Sequence, residues 1–276
     1  MELKTVRGFD DFLLVPKYSD IKSRSEINTQ VKLGDLTLDT PIIASPMSTV
    51  TEAFMVNALS HERTLGIIHR YNTIDEQVEI VKKSIDLGAT VVGAAVGVSD
   101  DFEERTYALC DAGARVICID IAHGHHQMMK SALANIREAF GKGICIIAGN
   151  VATKQAFEDL SDWGADAIRV GVGGGSICST RIQTGHGVPT LQSIIDCSRS
   201  DRGSVIIADG GIKNSGDAAK ALAAGADFVM LGSVLAGTDE TPGDLIRHGG
   251  TGITTQDRKV YRGMASREAQ QSWRNR

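Results

Sequence analysis

The sequence predicts an α/β fold, a (β/α)8 (TIM) barrel, on three observations. Eight short, continuously apolar runs recur along the chain, as strands covered by helices must read. A segment of helical period follows most of them, and several of these end in glycine, the residue that tolerates the turn past a helix. Polar residues and glycines then crowd the carboxyl ends of the runs, where a barrel of this kind carries its chemistry. An open doubly wound sheet is the alternative, but eight β/α units exceed its usual count.

Taken in order, the first strand is 41–44, with a helix over 52–60. The second is 65–68, and its helix, 74–87, ends at Gly88. The third is 90–95, and helix 102–112 stops at Gly113. The fourth, 115–119, leads into helix 126–140. The fifth, 144–147, precedes helix 154–163 and Gly164. The sixth, 167–170, opens into a glycine-rich loop before helix 191–198. The seventh, 204–207, is followed by helix 215–223 and Gly225, and 227–230 is the eighth.

Composition narrows the function classes. The chain has 276 residues, 42% hydrophobic and 23% charged, with a net charge of −5, which is ordinary for a soluble globular protein. Mild acidity argues against a nucleic-acid partner. No apolar run reaches the roughly 18 residues needed to cross a bilayer, so no membrane partner is expected. The amino terminus lacks the apolar core of a signal peptide. Cys110, Cys118, Cys145, Cys178 and Cys197 are odd in number and widely spaced, which suits a reducing cytoplasm better than disulfides or a zinc site.

The strand ends carry the candidate chemistry. After the sixth strand the chain reads Gly171-Val-Gly-Gly-Gly-Ser-Ile-Cys-Ser-Thr180. Glycines let a backbone come close to a ligand, and a thiolate is a strong nucleophile. Taken alone, Cys178 reads first as a buried, inert thiol, and the surrounding chain has to decide. The loops after strands seven and eight, Asp209-Gly-Gly-Ile-Lys-Asn-Ser-Gly216 and Leu231-Gly-Ser-Val234, sit where this fold commonly binds phosphate. Ser176 could add a hydroxyl there, and Asp209 could accept from two ribose hydroxyls. Asp120 ends a buried strand and points into the expected pocket. His123, His125 and His126 lack a partner carboxylate or cysteine pair, so they read as solvated or hydrogen-bonded rather than metal-binding. Lys259-Val-Tyr-Arg262 is too apolar for a simple tail and suits a lid or base-binding segment.

These residues resemble the IMP dehydrogenase/GMP reductase family. The matching motifs run from Phe9-Asp-Asp-Phe-Leu-Leu-Val-Pro16 to Tyr261-Arg-Gly-Met264. Between them lie Met47-Ser-Thr-Val-Thr-Glu52, Ala148-Gly-Asn-Val151, the cysteine loop, Ile207-Ala-Asp-Gly-Gly-Ile212 and Leu231-Gly-Ser-Val-Leu-Ala-Gly237. The resemblance implies that Cys178 attacks purine C2 of a nucleoside monophosphate, with Thr180 assisting proton transfer. It places Ser176, Asp209, Gly210, Gly211, Gly232 and Ser233 at the phosphoribosyl group, and Tyr261, Gly263 and Met264 at the base. Asp120, Ile121 and Ala122 fall on the cofactor side. Gly173, Gly175, Cys178 and Arg181 match a loop that holds a potassium ion through backbone carbonyls. The substrate class is GMP or IMP, the cofactor NADPH or NAD, and the assembly a homotetramer.

Within the family, the resemblance favours the reductase, which converts GMP to IMP and ammonia with NADPH. No CBS modules interrupt the barrel after helix 74–87. Ile119-Asp-Ile-Ala-His-Gly124 lacks the serine pair of dehydrogenases, and Gly263-Met-Ala-Ser-Arg-Glu268 departs from their Gly-Met-Gly-Ser-Leu. Thr49-Val-Thr-Glu52, Gly93-Ala-Ala-Val-Gly97 and Ile207-Ala-Asp-Gly-Gly-Ile212 lean toward the dehydrogenase, which oxidises IMP to XMP with NAD. A non-catalytic nucleotide-binding barrel is the third reading, since residues 1–276 form one barrel domain that stops short of the family's C-terminal flap. Two departures stand out. The family's Gly-Pro-Gly is Gly173-Gly174-Gly175 here, which predicts a looser loop, and its Asp after Met47 is Ser48.

Overall fold

The computed structural model describes residues 5–99, 101–247, 257–266, 268, 269 and 271. Among them the elements run β1 (Val31–Leu33), β2 (Leu36–Leu38), β3 (Ile42–Ala44), α1 (Ala53–His61), β4 (Leu65–Ile68), α2 (Ile74–Asp86) and β5 (Gly93–Val96). Next come α3 (Phe102–Asp111), β6 (Val116–Asp120), α4 (Gln127–Phe140), β7 (Cys145–Val151), α5 (Lys154–Asp162) and β8 (Ala167–Val170). The remainder are α6 (Thr180–Thr184), α7 (Thr190–Cys197), β9 (Val205–Asp209), α8 (Ser215–Ala223), β10 (Phe228–Leu231), β11 (Ile246–Arg247) and β12 (Asp257–Arg258).

Strands β3 to β10 close into a barrel, β10 pairing with β3, and every pairing is parallel. All eight predicted strands form. Their apolar runs are buried on both faces, so two cores result. Ile43, Leu65, Ile67, Cys118, Ile147, Ile207 and Phe228 fill the barrel interior. Ile68, Val81, Leu109, Ile117, Leu133, Phe157, Ile168 and Ile194 lie in the layer between strands and helices.

Local chemistry sets the helix ends. Thr73 and Glu76 form a reciprocal capping box at α2, and Thr153 and Asn214 cap α5 and α8 through side-chain oxygens. The predicted stops hold: Gly88, Gly113, Gly164 and Gly225 all have φ between 106° and 110°. The seven predicted helices are present, with ends shifted by a residue or so.

The β1–β2 hairpin was not predicted. It closes the amino-terminal mouth of the barrel, with Leu33, Leu36 and Leu38 joining the interior core. Gly34 sits beside Cys145, the first residue of β7. The opposite mouth stays open, and there the strand-end loops converge. No helix is long and apolar enough to cross a membrane among the described residues.

Candidate active site

The cavity at the open mouth measures about 330 Å³. It is lined by residues at or beyond the ends of β3, β4, β6, β7, β8 and β9, together with Tyr261 and Gly263–Ser266. Cys178 lies in its wall, partly exposed, and its Sγ is 3.3 Å from the Thr180 hydroxyl at the start of α6. Cys118, Cys145 and Cys197 are buried, and burial pushes their thiols up to about 12. Burial first and Asp111 second push Cys110 up to about 11. Among the described residues, Cys178 is the cysteine that lines the cavity.

The glycines around Cys178 are there for close packing. A Cβ on Gly171 would sit 1.9 Å from the Asp209 carbonyl oxygen, and one on Gly174 would sit 2.3 Å from Thr190 Oγ1. One on Gly210 would lie 3.0 Å from the Gly175 nitrogen. The cysteine loop and the loop after β9 therefore stack backbone on backbone. This corrects the expectation of a looser loop: Thr190 fills the space beside Gly174. Arg181 packs against Gly173 and Gly187 and donates to the Val188 carbonyl at 2.7 Å, stapling the far end of the loop.

Asp209, Gly210 and Gly211 lie together at the end of β9, with φ of 95° and 84° at the two glycines. Tyr261 joins the two remaining hydroxyl positions: its phenol is hydrogen-bonded to Ser176 and Ser233, and burial raises its pKa. A Cβ on Gly232 would lie 3.2 Å from that phenol oxygen. Met264 Sδ accepts the Ser48 N–H at 3.3 Å, which seats the Tyr261–Met264 segment on the loop after β3.

At the centre of the mouth stands Arg169, which the sequence reading passed over. Its side chain is 8% exposed and bridges two strand ends. Nη1 pairs with Asp120 Oδ1, and Nε and Nη2 donate to Asp209 Oδ2 at 3.1 and 2.8 Å. The two carboxylates hold the guanidinium charged, with a pKa well above its ordinary value against the cost of burial. Asn150 Nδ2 reaches the same Asp209 oxygen at 2.7 Å. Asp209 Oδ2 thus accepts from both Arg169 and Asn150. A charged residue inside the apolar run 167–170 was the signal available in the sequence.

Asp120, Ile121 and Ala122 line the same cavity beside Arg70 and Tyr71. Arg70 donates to the Asp120 carbonyl at 3.1 Å, and its guanidinium lies 5.3 Å from the Tyr71 ring centre. Gly173, Gly175 and Cys178 share one tight turn, and the Gly175 carbonyl accepts the Cys178 N–H at 3.1 Å. His125 pairs with Asp159 at 2.7 Å, a carboxylate partner the sequence reading did not find, and His126 caps α4. Of the predicted residues, Ser176, Gly211, Gly232, Ser233 and Arg181 do not line the cavity; the rest do. Arg267 lies outside the described residues.

Comparison with known proteins gives the family. Residues 7–276 match the model of the IMP dehydrogenase / GMP reductase domain. The chain is 36% identical to inosine-5'-monophosphate dehydrogenase of Nitrosopumilus maritimus, covering 96% of this chain and 81% of the relative. That alignment spans 393 positions, so the relative carries a segment without counterpart here. The chain is 42% identical to GMP reductase of Leishmania major, covering 83% of this chain and 49% of the relative. Among solved structures, a cysteine-to-alanine variant of GMP reductase from Trypanosoma brucei, in complex with guanosine 5'-monophosphate, superposes with a TM-score of 0.92. It is 29% identical, with 99% of this chain and 84% of the other covered.

Proposed function

The chain belongs to the IMP dehydrogenase/GMP reductase family of oxidoreductases, and from that premise we propose that it is a GMP reductase. The observation that carries the chemistry is Cys178, the cysteine of the cavity wall, set beside Thr180 and stacked on the glycine loop after β9. Two features support the reductase direction. The cofactor-side strand end is Asp120-Ile121-Ala122 without serines. The structural neighbour with a TM-score of 0.92 is a GMP reductase bound to GMP.

In this reading the Cys178 thiolate adds to C2 of GMP, forming a C–S bond. The C2–N bond to the exocyclic amino group breaks, and ammonia leaves after taking a proton. The Thr180 hydroxyl, 3.3 Å from Sγ, is placed to move that proton. Reduced nicotinamide, when bound, supplies the hydride that C2 accepts. The C–S bond then breaks, releasing IMP and restoring the thiolate. Gly210, Gly211, Gly232 and Ser233 hold the phosphate with backbone N–H groups and a hydroxyl, and Ser176 adds a second hydroxyl. Asp209 accepts from the ribose, and Tyr261, Gly263 and Met264 border the base. Asp120, Ile121 and Ala122 face the cofactor. Gly173, Gly175 and Cys178 would hold potassium through carbonyl oxygens, with Arg181 bracing the loop, so that the ion fixes the thiol's position. We place the enzyme in the cytoplasm as a homotetramer.

The dehydrogenase is the second reading, favoured by a 49% identity to the Bacillus subtilis inosine-5'-monophosphate dehydrogenase over 70% of this chain. One assay separates the two. GMP with NADPH should lose nicotinamide absorbance, and IMP with NAD should gain none at a comparable rate. The reverse pattern establishes the dehydrogenase, and purine nucleotide binding without hydride transfer establishes a non-catalytic barrel.

A further inference from the structure

The amino-terminal segment ahead of the barrel holds one residue that behaves unlike its neighbours. Phe12, Leu13, Leu14, Val15 and Tyr18 are all exposed, yet Phe9 is buried in the outer core. Its ring covers the loop after β9: a Cβ on Gly211 would meet two ring carbons at 3.6 Å. Two lysines from that loop and from α8 fasten the segment in place. Lys220 Nζ donates to the Phe9 carbonyl at 2.8 Å, and Lys213 Nζ pairs with Asp10 at 3.1 Å. Asp11 turns the segment back by accepting the Gly8 N–H at 2.7 Å.

The loop so covered is itself a spacer. Its other face meets the cysteine loop, with the Gly174 carbonyl 3.2 Å from a Cβ on Gly211 and the Gly175 nitrogen 3.0 Å from one on Gly210. The order in space is Phe9, Gly211, Gly210, then the turn that carries Cys178. Gly210 and Gly211 have no side chains with which to hold their own position, so outside contacts must fix them.

We propose that the 8–11 segment is a strap that sets the position of the phosphate-binding loop, with Phe9 as its positioning residue. This rests on the reading of Gly210 and Gly211 as phosphate contacts. Losing the ring frees the loop on one side, and a misplacement well under an ångström weakens several N–H contacts at once. The effect falls on the phosphate and not on the purine or ribose, because Tyr261 and Asp209 are held by other partners.

The test compares Phe9→Ala and Phe9→Leu with the wild type in the full chain. Calorimetric affinities for GMP and guanosine are measured alongside amide hydrogen exchange of residues 210–213 and 174–178. Phe9→Ala should weaken GMP about tenfold, leave guanosine unchanged and speed exchange in both loops. Phe9→Leu should restore the GMP affinity and the slow exchange. Equal loss of GMP and guanosine would reduce Phe9 to a stability role and overturn the proposal, as would an unchanged GMP affinity. Should the wild type bind no purine monophosphate, the functional reading fails by itself. Exchange then decides the strap, and unchanged exchange in Phe9→Ala overturns it.

Discussion

Replacing Arg169 by Met tests the centre of the mouth most severely. The substitution preserves much of the side-chain length but removes the charge shared by Asp120 and Asp209. Breaking a buried pair by deleting one partner costs about 3–5 kcal/mol, because the remaining charge stays buried and unpaired. The lower figure applies, since Asp209 keeps Asn150 at 2.7 Å and Asp120 keeps Arg70 at 3.8 Å. In a chain of this size each kcal/mol moves Tm by roughly 2–4 °C, so Tm should fall by about 10 °C. Thermal unfolding followed by circular dichroism reads this directly. Adding Asp120→Asn and Asp209→Asn to Arg169→Met removes the orphaned charges and should recover most of the loss. A single variant melting within about 2 °C of wild type would refute the reasoning, as would a triple variant less stable than the single one.

Three further outcomes follow from the geometry. Leu33→Ala, in the hairpin at the far mouth, should cost about 2–5 kcal/mol in urea unfolding yet leave the rate per folded molecule unchanged, since the site lies at the other end. Gly171→Ala should disrupt both loops, because its Cβ would meet the Asp209 carbonyl at 1.9 Å. Gly185→Ala faces open space at φ 69° and should cost only about 1 kcal/mol, which parallel melting and activity measurements check. Alkali should destabilise the fold. The buried thiols of Cys118, Cys145 and Cys197 titrate near 12 in the folded state against 9.0 when unfolded, so folding keeps them protonated. That stability is fully present below pH 9 and is lost as pH rises toward 12, at about 1.4 kcal/mol per pH unit for each thiol. Cys145→Ala should therefore flatten the decline of the urea midpoint above pH 9, and an identical slope would refute the assignment.

The barrel was legible because each strand is a closed apolar run and each helix announces its ends. Gly88, Gly113, Gly164 and Gly225 marked stops that the backbone confirms. The β1–β2 hairpin escaped because its alternating Leu33, Leu36 and Leu38 are too few for a periodic signal, and only the barrel mouth gives them a core. Cys178, Asp120 and Asp209 could be read as strand-end chemistry. Arg169 could not, because its partners lie 49 and 40 residues away and a lone charge in a strand says nothing about what neutralises it. The packed cysteine loop was hidden for a similar reason. Three successive glycines imply freedom along the chain, and only the fold shows that Thr190 and Gly210 take that freedom away.

In the proposed reaction the Cys178 sulfur bonds to purine C2 during hydride transfer. IMP and oxidised nicotinamide cofactor should drive that step from the product side of a reductase and from the substrate side of a dehydrogenase. Acid quenching, digestion and mass spectrometry of the Cys178 peptide measure it directly. A purine nucleotide adduct should appear on Cys178, accompanied by reduced nicotinamide, and neither should form in Cys178→Ala. Reduced nicotinamide forming in Cys178→Ala at the wild-type rate would contradict the proposed reaction.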